Sequence, residues 1–299
     1  MADRRTGGQA VSIGARSALS LTALSALTAL SAQTPSIPDL TARMTAWTAI
    51  TGYERAVTDT LLTLLPGAAR DRAGNVVATL GRGAPKRLVS CPLDEIGWVV
   101  GNVRDDGYLT LRRVGRSRSP LFDQQLEGHR VTLFGRHGPV PGVVAVASTH
   151  LQRGRTASDE PFDVDSAFVD VGAASRSEVA ALGLEILTPV ALTKVPLRYG
   201  PEGALLAAPV AARRAACAAL LEAVLAQPRV KGTVLVAFTV QSLLRPDIGV
   251  TALVHLAGPV DSAVVATVPS RFTGTPVETV SLTQVDSVRG SLLAWMEGK

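Results

Sequence analysis

Histidine is scarce in this chain: His129, His137, His150 and His255 are the only four in 299 residues. No two of them stand three or four apart, the spacing that gathers imidazoles on one helix face. A metal site built on histidine therefore has little to draw on. Aromatic residues make up only 4%, which argues against recognition of nucleic acid by stacked bases and leaves the core to alanine, valine and leucine. Lysine occurs only as Lys86, Lys194, Lys231 and Lys299 among 30 basic residues. That arginine excess reads as a coding bias before it reads as anion recognition. Cys91 and Cys217 are the only two cysteines, and they form neither a metal-spaced pair nor a short redox motif. Two buried free thiols are the expected state, with a disulfide left open for an exported protein. There is no Gly-x-Ser-x-Gly elbow and no phosphate-cradling glycine loop. Cys91 has no base close in sequence that would make it a nucleophile.

Hydrophobic residues supply 46% of the chain, enough for one large domain or two modest ones. The net charge is +5. The one tight basic cluster is Arg112, Arg113, Arg116 and Arg118; it could meet an anionic surface, although a solvated loop face is the plainer expectation. Residues 1–38 read as a signal peptide and leader. Arg4, Arg5 and Arg16 precede an Ala/Leu/Ser/Thr run from Ser17 to Ala32 that ends in small residues. Export is the expectation. That run is too short and too rich in hydroxyls to span a membrane, and no other stretch reads as transmembrane.

Leu40 to Leu65 carries helical spacing broken at Gly52, with Glu54 opening the second helix. Val76 to Leu80 and Leu88 to Cys91 read as strands around the hairpin turn Gly81-Arg82-Gly83. From about 104 the texture becomes strand and turn: Tyr108 to Val114, Arg130 to Phe134, Val143 to Ala147 and Ala167 to Val171, with turns at 135–138 and Pro141-Gly142. Ser175 caps a short helix that Gly183 stops. From Leu197 the α/β texture returns: a helix over Pro209 to Ala226, strands at Thr233 to Val240 and Val264 to Val268, and a closing helix over Asp286 to Met296. The expected architecture is an α/β domain formed by 39–103 plus 193–299, split by a β-rich insertion at 104–192.

Several stretches, in order, carry a family resemblance. They are Ile50-Thr51-Gly52-Tyr53-Glu54, Asp71-Arg72-Ala73-Gly74-Asn75-Val76, Leu93-Asp94-Glu95-Ile96-Gly97, Val169-Asp170-Val171-Gly172-Ala173, Arg214 to Glu222, Phe238-Thr239-Val240-Gln241 and Val268 to Phe272 with Pro276-Val277-Glu278. Together they resemble the tetrahedral or glutamyl aminopeptidases, family forty-two of the metallopeptidases. That resemblance implies a three-layer zinc-aminopeptidase-like α/β domain, an inserted β-barrel-like domain, two divalent ions (zinc or cobalt) and large homo-oligomers. It also implies where the chemistry should sit, and there the chain departs from the pattern. The first histidine ligand falls on Pro92 and the bridging aspartate on Ala212, with Arg213 beside it. The catalytic and ligand glutamates fall on Ser242 and Leu243, and the last histidine on Gly274. The final aspartate ligand has no clear equivalent; Asp261 is nearest and suits a turn at a strand start.

Asp94 and Glu95 survive. Asp94 is left with no histidine to orient and reads as a helix or turn cap, and Glu95 could pair with an arginine such as Arg213 or Arg271. His255 is expected to be half-buried. The set Pro92, Asp94, Glu95, Ala212, Arg213, Ser242, Leu243, Arg271 and Gly274 is read as a vestigial pocket with no catalytic residue and no metal. A pseudopeptidase that binds peptides or other anions, or scaffolds through self-association, is the expected function. The alternatives are an active metallo-aminopeptidase with a rebuilt site and a module held to anionic surfaces by Arg112 to Arg118.

Overall fold

The computed structural model describes residues 36–117, 119, 121–145, 162, 164–244 and 248–299. Most of the expected leader lies outside them, as do His150, Arg118, Arg245 and the last two residues of the Val143 to Ala147 run. The leader's last residues are already helical. Helix α1 spans Ile37–Ala46, with Ser36 as N-cap accepting from the Asp39 amide and proline in the first turn, a position where its missing N–H costs nothing. Helix α2 spans Arg55–Leu64. Strands β1 (Ala69–Arg70), β2 (Val76–Gly81) and β3 (Lys86–Pro92) follow.

The next strands are β4 (Gly97–Val103), β5 (Leu109–Val114), β6 (Arg130–Gly135), β7 (Gly138–Val144) and β8 (Phe168–Asp170). After α3 (Arg176–Ala181) comes β9 (Pro189–Leu192). β4 through β9 close a barrel in the order β4-β5-β8-β7-β6-β9. Trp98, Val100, Leu109, Leu111, Val131, Leu133, Val169 and Val190 fill its interior. Leu109 and Leu111 point inward on either side of half-buried Thr110, the period-two pattern that the sequence predicts. β4 begins ahead of residue 104 and is a barrel strand. The Pro141-Gly142 turn is not observed: both residues lie within β7, opposite Thr132 and Val131 of β6. Proline is tolerated there because β8 pairs only with Val143 and Val144, leaving the Pro141 nitrogen with no ladder bond to supply.

The chain then makes β10 (Leu197–Tyr199), β11 (Leu205–Ala207), α4 (Ala211–Leu225), β12 (Thr233–Thr239), α5 (Ile248–Ala257), β13 (Ser262–Val265), β14 (Thr279–Ser281) and α6 (Leu282–Glu297). The main sheet has the order β1-β2-β12-β3-β13. β3 runs parallel to β12 and β13, and β12 runs antiparallel to β2. β12 therefore lies between β2 and β3, so Gly81-Arg82-Gly83 is not a hairpin turn: the two strands that flank it never pair. The central strands are buried on both faces, as their continuous apolar runs require. On one side α1, α2, α4 and α6 share a large core with Val89, Val234, Val236 and Phe238. On the other, Leu253 of α5 packs on Leu88, Leu235 and Ala237. A small sheet, β10-β11-β14, completes the layers. β13 ends at Val265, short of the predicted Val268, and α6 starts earlier than predicted because Ser281 caps it at Leu282.

Candidate functional site

The predicted pocket residues gather where β3 and β12 end and α4 begins. Pro92 closes β3 and is paired with Thr239 of β12. Beyond it the chain leaves the sheet and lies beside the segment before α2: the Glu95 amide donates to Ala49 O at 2.8 Å, and the Thr51 amide to Glu95 O at 2.9 Å. This close pairing requires glycine at 97, since a Cβ there would sit 2.6 Å from the Ile50 side chain. The Ile50 to Glu54 and Leu93 to Gly97 motifs, distant in sequence, thus form one structural unit.

Asp94 is fully buried, caps a turn and gains side-chain partners as well. Its Oδ1 accepts from Ser242 Oγ at 2.5 Å and from Arg213 Nη1 at 3.2 Å, and its Oδ2 accepts from the Leu243 amide at 2.8 Å. Arg213 Nη1 also donates to Ser242 Oγ at 2.9 Å. The aspartate therefore ties the end of β3 to α4 and to the turn after β12. Burial pulls the Arg213 guanidinium below its ordinary value, with Asp94 opposing that shift. Its side chain remains 29% exposed.

Glu95 pairs with neither Arg213 nor Arg271. Its carboxylate accepts from Lys194 Nζ at 2.6 Å, Arg214 Nη2 at 3.0 Å and the Ala49 amide at 2.7 Å. Arg214, wholly buried, also donates to the Leu93 carbonyl. Burial raises the Glu95 carboxyl, but Lys194 and Arg214 outweigh it and hold it below the usual range. Lys194 is lowered to about 8, chiefly by burial. The two shifts conflict if Glu95 and Lys194 are taken as an isolated ion pair, which would raise the lysine. They agree once Arg214 is counted: it keeps Glu95 compensated by itself and repels the neighbouring ammonium, so Lys194 is the member that releases a proton.

The remaining predicted residues line the margins. Arg271 bridges Thr279 through backbone bonds, and Gly274 turns with a φ of 76°. Gly274 faces a narrow cleft between the barrel and the α/β layers that Glu95, Trp98, Phe122, Lys194 and Val210 also line. Ala212, from α4, donates its amide to Glu278 Oε2 at 3.4 Å. The other Glu278 oxygen accepts from Ser270 Oγ at 2.8 Å, and burial raises this carboxyl. Glu54 is likewise raised by burial and accepts from the Gln241 amide. Sequence reasoning left Lys194, Arg214 and Ser270 out of the site. Lys194 had one usable signal: it is a rare lysine in an arginine-rich chain.

Cys91 and Cys217 are joined as a disulfide, with Cα atoms 5.4 Å apart, so the expected free thiols are replaced by a covalent link. The residues lie 126 apart in sequence, and only the packing of α4 on β3 brings them together. Asp261 takes the role foreseen for it, accepting from the Lys86 amide at 2.7 Å just before β13. His255 is exposed on α5 rather than half-buried. Arg112 and Arg113 are paired with Asp165 and Asp123, so half of the proposed basic cluster is spent inside the barrel's own ion pairs.

The donor set does not fit a pair of divalent ions. Pro92, Ala212 and Leu243 offer no ligating side-chain atom, and Asp94 is already engaged by a guanidinium. Among the described residues, no group of three or more His, Cys, Asp or Glu is placed to hold a metal. No helix among them is long and apolar enough to cross a membrane.

Residues 74–244 match the M42 glutamyl aminopeptidases. SgcX of Escherichia coli K12 is 34% identical over 155 residues, and the lysyl aminopeptidase of Pyrococcus furiosus 33% over 144. These matches take in 50% and 46% of this chain, and only 40% of each relative's length. Among solved structures, a TET aminopeptidase from a marine-sediment thaumarchaeote superposes with a TM-score of 0.75 at 17% identity, over 87% of this chain and 96% of that one. Pyrococcus horikoshii TET1 peptidase, which can assemble into a tetrahedron or a large octahedral shell, gives 0.73 at 19%, over 87% and 99%. At such identities the structures establish the shared fold.

Proposed function

This chain belongs to the M42 glutamyl aminopeptidase family, and we propose that it is a catalytically inactive relative that acts by binding or scaffolding. One observation carries the reading: where the family's chemistry calls for metal ligands, the chain places a guanidinium held by Asp94 and Ser242. A hydrolase of this class needs a metal-bound water made acidic enough to ionise near neutral pH. A guanidinium is a fixed cation with donors only; it has no acceptor for a proton and cannot bind a hydroxide as a ligand. Arg213 Nη1 serves Asp94 and Ser242; the side chain is 29% exposed, and on this reading its remaining donors serve a ligand. A peptide carboxylate or another small anion suits them, because guanidinium and carboxylate match in charge and geometry. The disulfide and the basic, small-residue N-terminal segment support export, since disulfides persist in oxidising compartments. Self-association is part of the same reading, supported by the retained barrel.

Two measurements test it. Purified protein should carry no stoichiometric zinc, cobalt or manganese and should release no product from chromogenic amino-acid anilides. Stoichiometric metal together with anilide release would establish the rebuilt-site aminopeptidase instead. Titration calorimetry with short peptides should give binding that Arg213→Ala abolishes; no binding at millimolar peptide would sink the ligand assignment.

A further inference from the structure

The N-terminal half of α4, Ala211 to Ala219, contains only alanine, arginine and cysteine. Its larger apolar side chains, Leu220, Leu221, Val224 and Leu225, all lie in the second half. Buried area scales with side-chain size, so the half that carries Arg213 and Arg214 is gripped weakly by hydrophobic packing. Its start is also poorly capped from within: the N-cap residue Val210 has a φ of 54° and makes no side-chain cap bond. The opposing segment leaves the sheet after Pro92 and is joined to α4 by polar contacts, Arg214 donating to the Leu93 carbonyl and to Glu95. The Cys91–Cys217 bond is the covalent link across this polar junction. The Cys217 sulfur is 3.5 Å from the Pro92 carbonyl oxygen, and the Cys91 sulfur is 3.7 Å from the Arg213 carbonyl oxygen. Both residues are fully buried.

We propose that this disulfide is a positioning device for the candidate site: it holds the first turns of α4 in register with the end of β3, and its reduction loosens the Asp94–Arg213–Ser242 constellation while the rest of the fold stands. The barrel has its own core, and the second half of α4 keeps its leucines, so neither depends on the link. Both cysteines are fully buried, so a reductant reaches the bond only when this junction opens. Reduction by a small dithiol breaks the Sγ–Sγ bond and delivers two electrons and two protons. It yields two cysteine thiols and leaves the reductant as a cyclic disulfide.

The Leu243 amide, which donates to Asp94 Oδ2, reports on the constellation directly. Hydrogen exchange of the full chain should be compared in three forms: oxidised, reduced with a dithiol until two thiols titrate, and carrying Cys91→Ala with Cys217→Ala. In both disulfide-free forms, protection of Leu243 and of the amides from Arg214 to Cys217 should fall at least tenfold. The barrel amides of Val131 and Leu133 should keep theirs. Unchanged protection at Leu243 in thiol-titrated protein would overturn the proposal. So would loss of barrel protection, or failure of the double variant to fold, since either makes the link a global staple rather than a local one.

Discussion

The Glu278 carboxylate caps α4 from outside the helix, its Oε2 lying 3.4 Å from the Ala212 amide across 66 residues of sequence. The first orphan amides of a helix need an acceptor and favour negative charge, and Val210 provides no side chain for either purpose. Glu278→Ala should therefore destabilise the protein by about 1–2 kcal/mol, the cost of a lost cap; the Ser270 hydroxyl keeps Thr273 as a partner. Glu278→Gln keeps an acceptor oxygen and should cost less than half as much in urea denaturation. Burial raises this carboxyl above its unfolded value of 4.5. Its titration thus favours the fold at low pH, an advantage lost as pH rises through the shifted value, and the glutamine variant should not show that loss.

Asp94 is the acceptor on which three segments converge, so its removal should be the most costly single change in the cleft. Asp94→Ala leaves a largely buried guanidinium, the Ser242 hydroxyl and the Leu243 amide without their acceptor. Breaking a buried ion pair costs about 3–5 kcal/mol, to be discounted here because Arg213 is partly exposed. A loss of about 2–4 kcal/mol is expected. The double variant Asp94→Ala with Arg213→Met should recover part of it, because no unpaired charge then stays behind. A single-variant loss below about 1 kcal/mol would mean that the pair is ornamental.

Lys194 gives the chain an alkaline signature. Its ammonium is lowered to about 8 from 10.5, so between those values the unfolded chain binds more protons than the folded one, and stability from this group rises with pH. The gain is bounded by about 3 kcal/mol across the window. Lys194→Met should flatten the pH dependence of the unfolding free energy between 8 and 10.5. Glu95 acts in the opposite range: it is held below 4.5, so its contribution is present above that value and lost as pH falls through the folded one. An unfolding curve that declines steadily from pH 8 to 10, equally in wild type and variant, would contradict this account.

Gly249 of α5 lies against the start of β2 and the end of β12. An added Cβ would sit 2.8 Å from both Asn75 Oδ1 and the Val240 carbonyl oxygen. Asn75 is fully buried and spends its side chain on the Val240 amide, the Gly249 carbonyl and Asp71. Gly249→Ala should therefore disturb the end of β12 and cost about 1–3 kcal/mol, the usual range for overpacking. Thermal unfolding read against Gly290→Ala, inside α6, where an added Cβ meets nothing within 4 Å, isolates crowding from helix propensity.

Much of the fold was written in local pattern. Alternating Leu109, Thr110 and Leu111 made a barrel strand, the unbroken run Thr233 to Thr239 made a central strand, and Ser175 capped its helix. Side-chain period and capping chemistry act over a few residues, so they can be read without knowing what lies opposite. The ordered motifs gave the family, and the side chains at 92, 212, 242, 243 and 274 carry the proposal that its metal ligands are missing. What the chain could not reveal locally was pairing. The insertion of β12 between β2 and β3, the Cys91–Cys217 bond, the capture of Asp94 by Arg213 and Ser242, and the claim of Lys194 and Arg214 on Glu95 all join segments about a hundred residues or more apart. Such contacts depend on how layers stack, and several acceptable partners compete for each buried charge until packing brings one within reach.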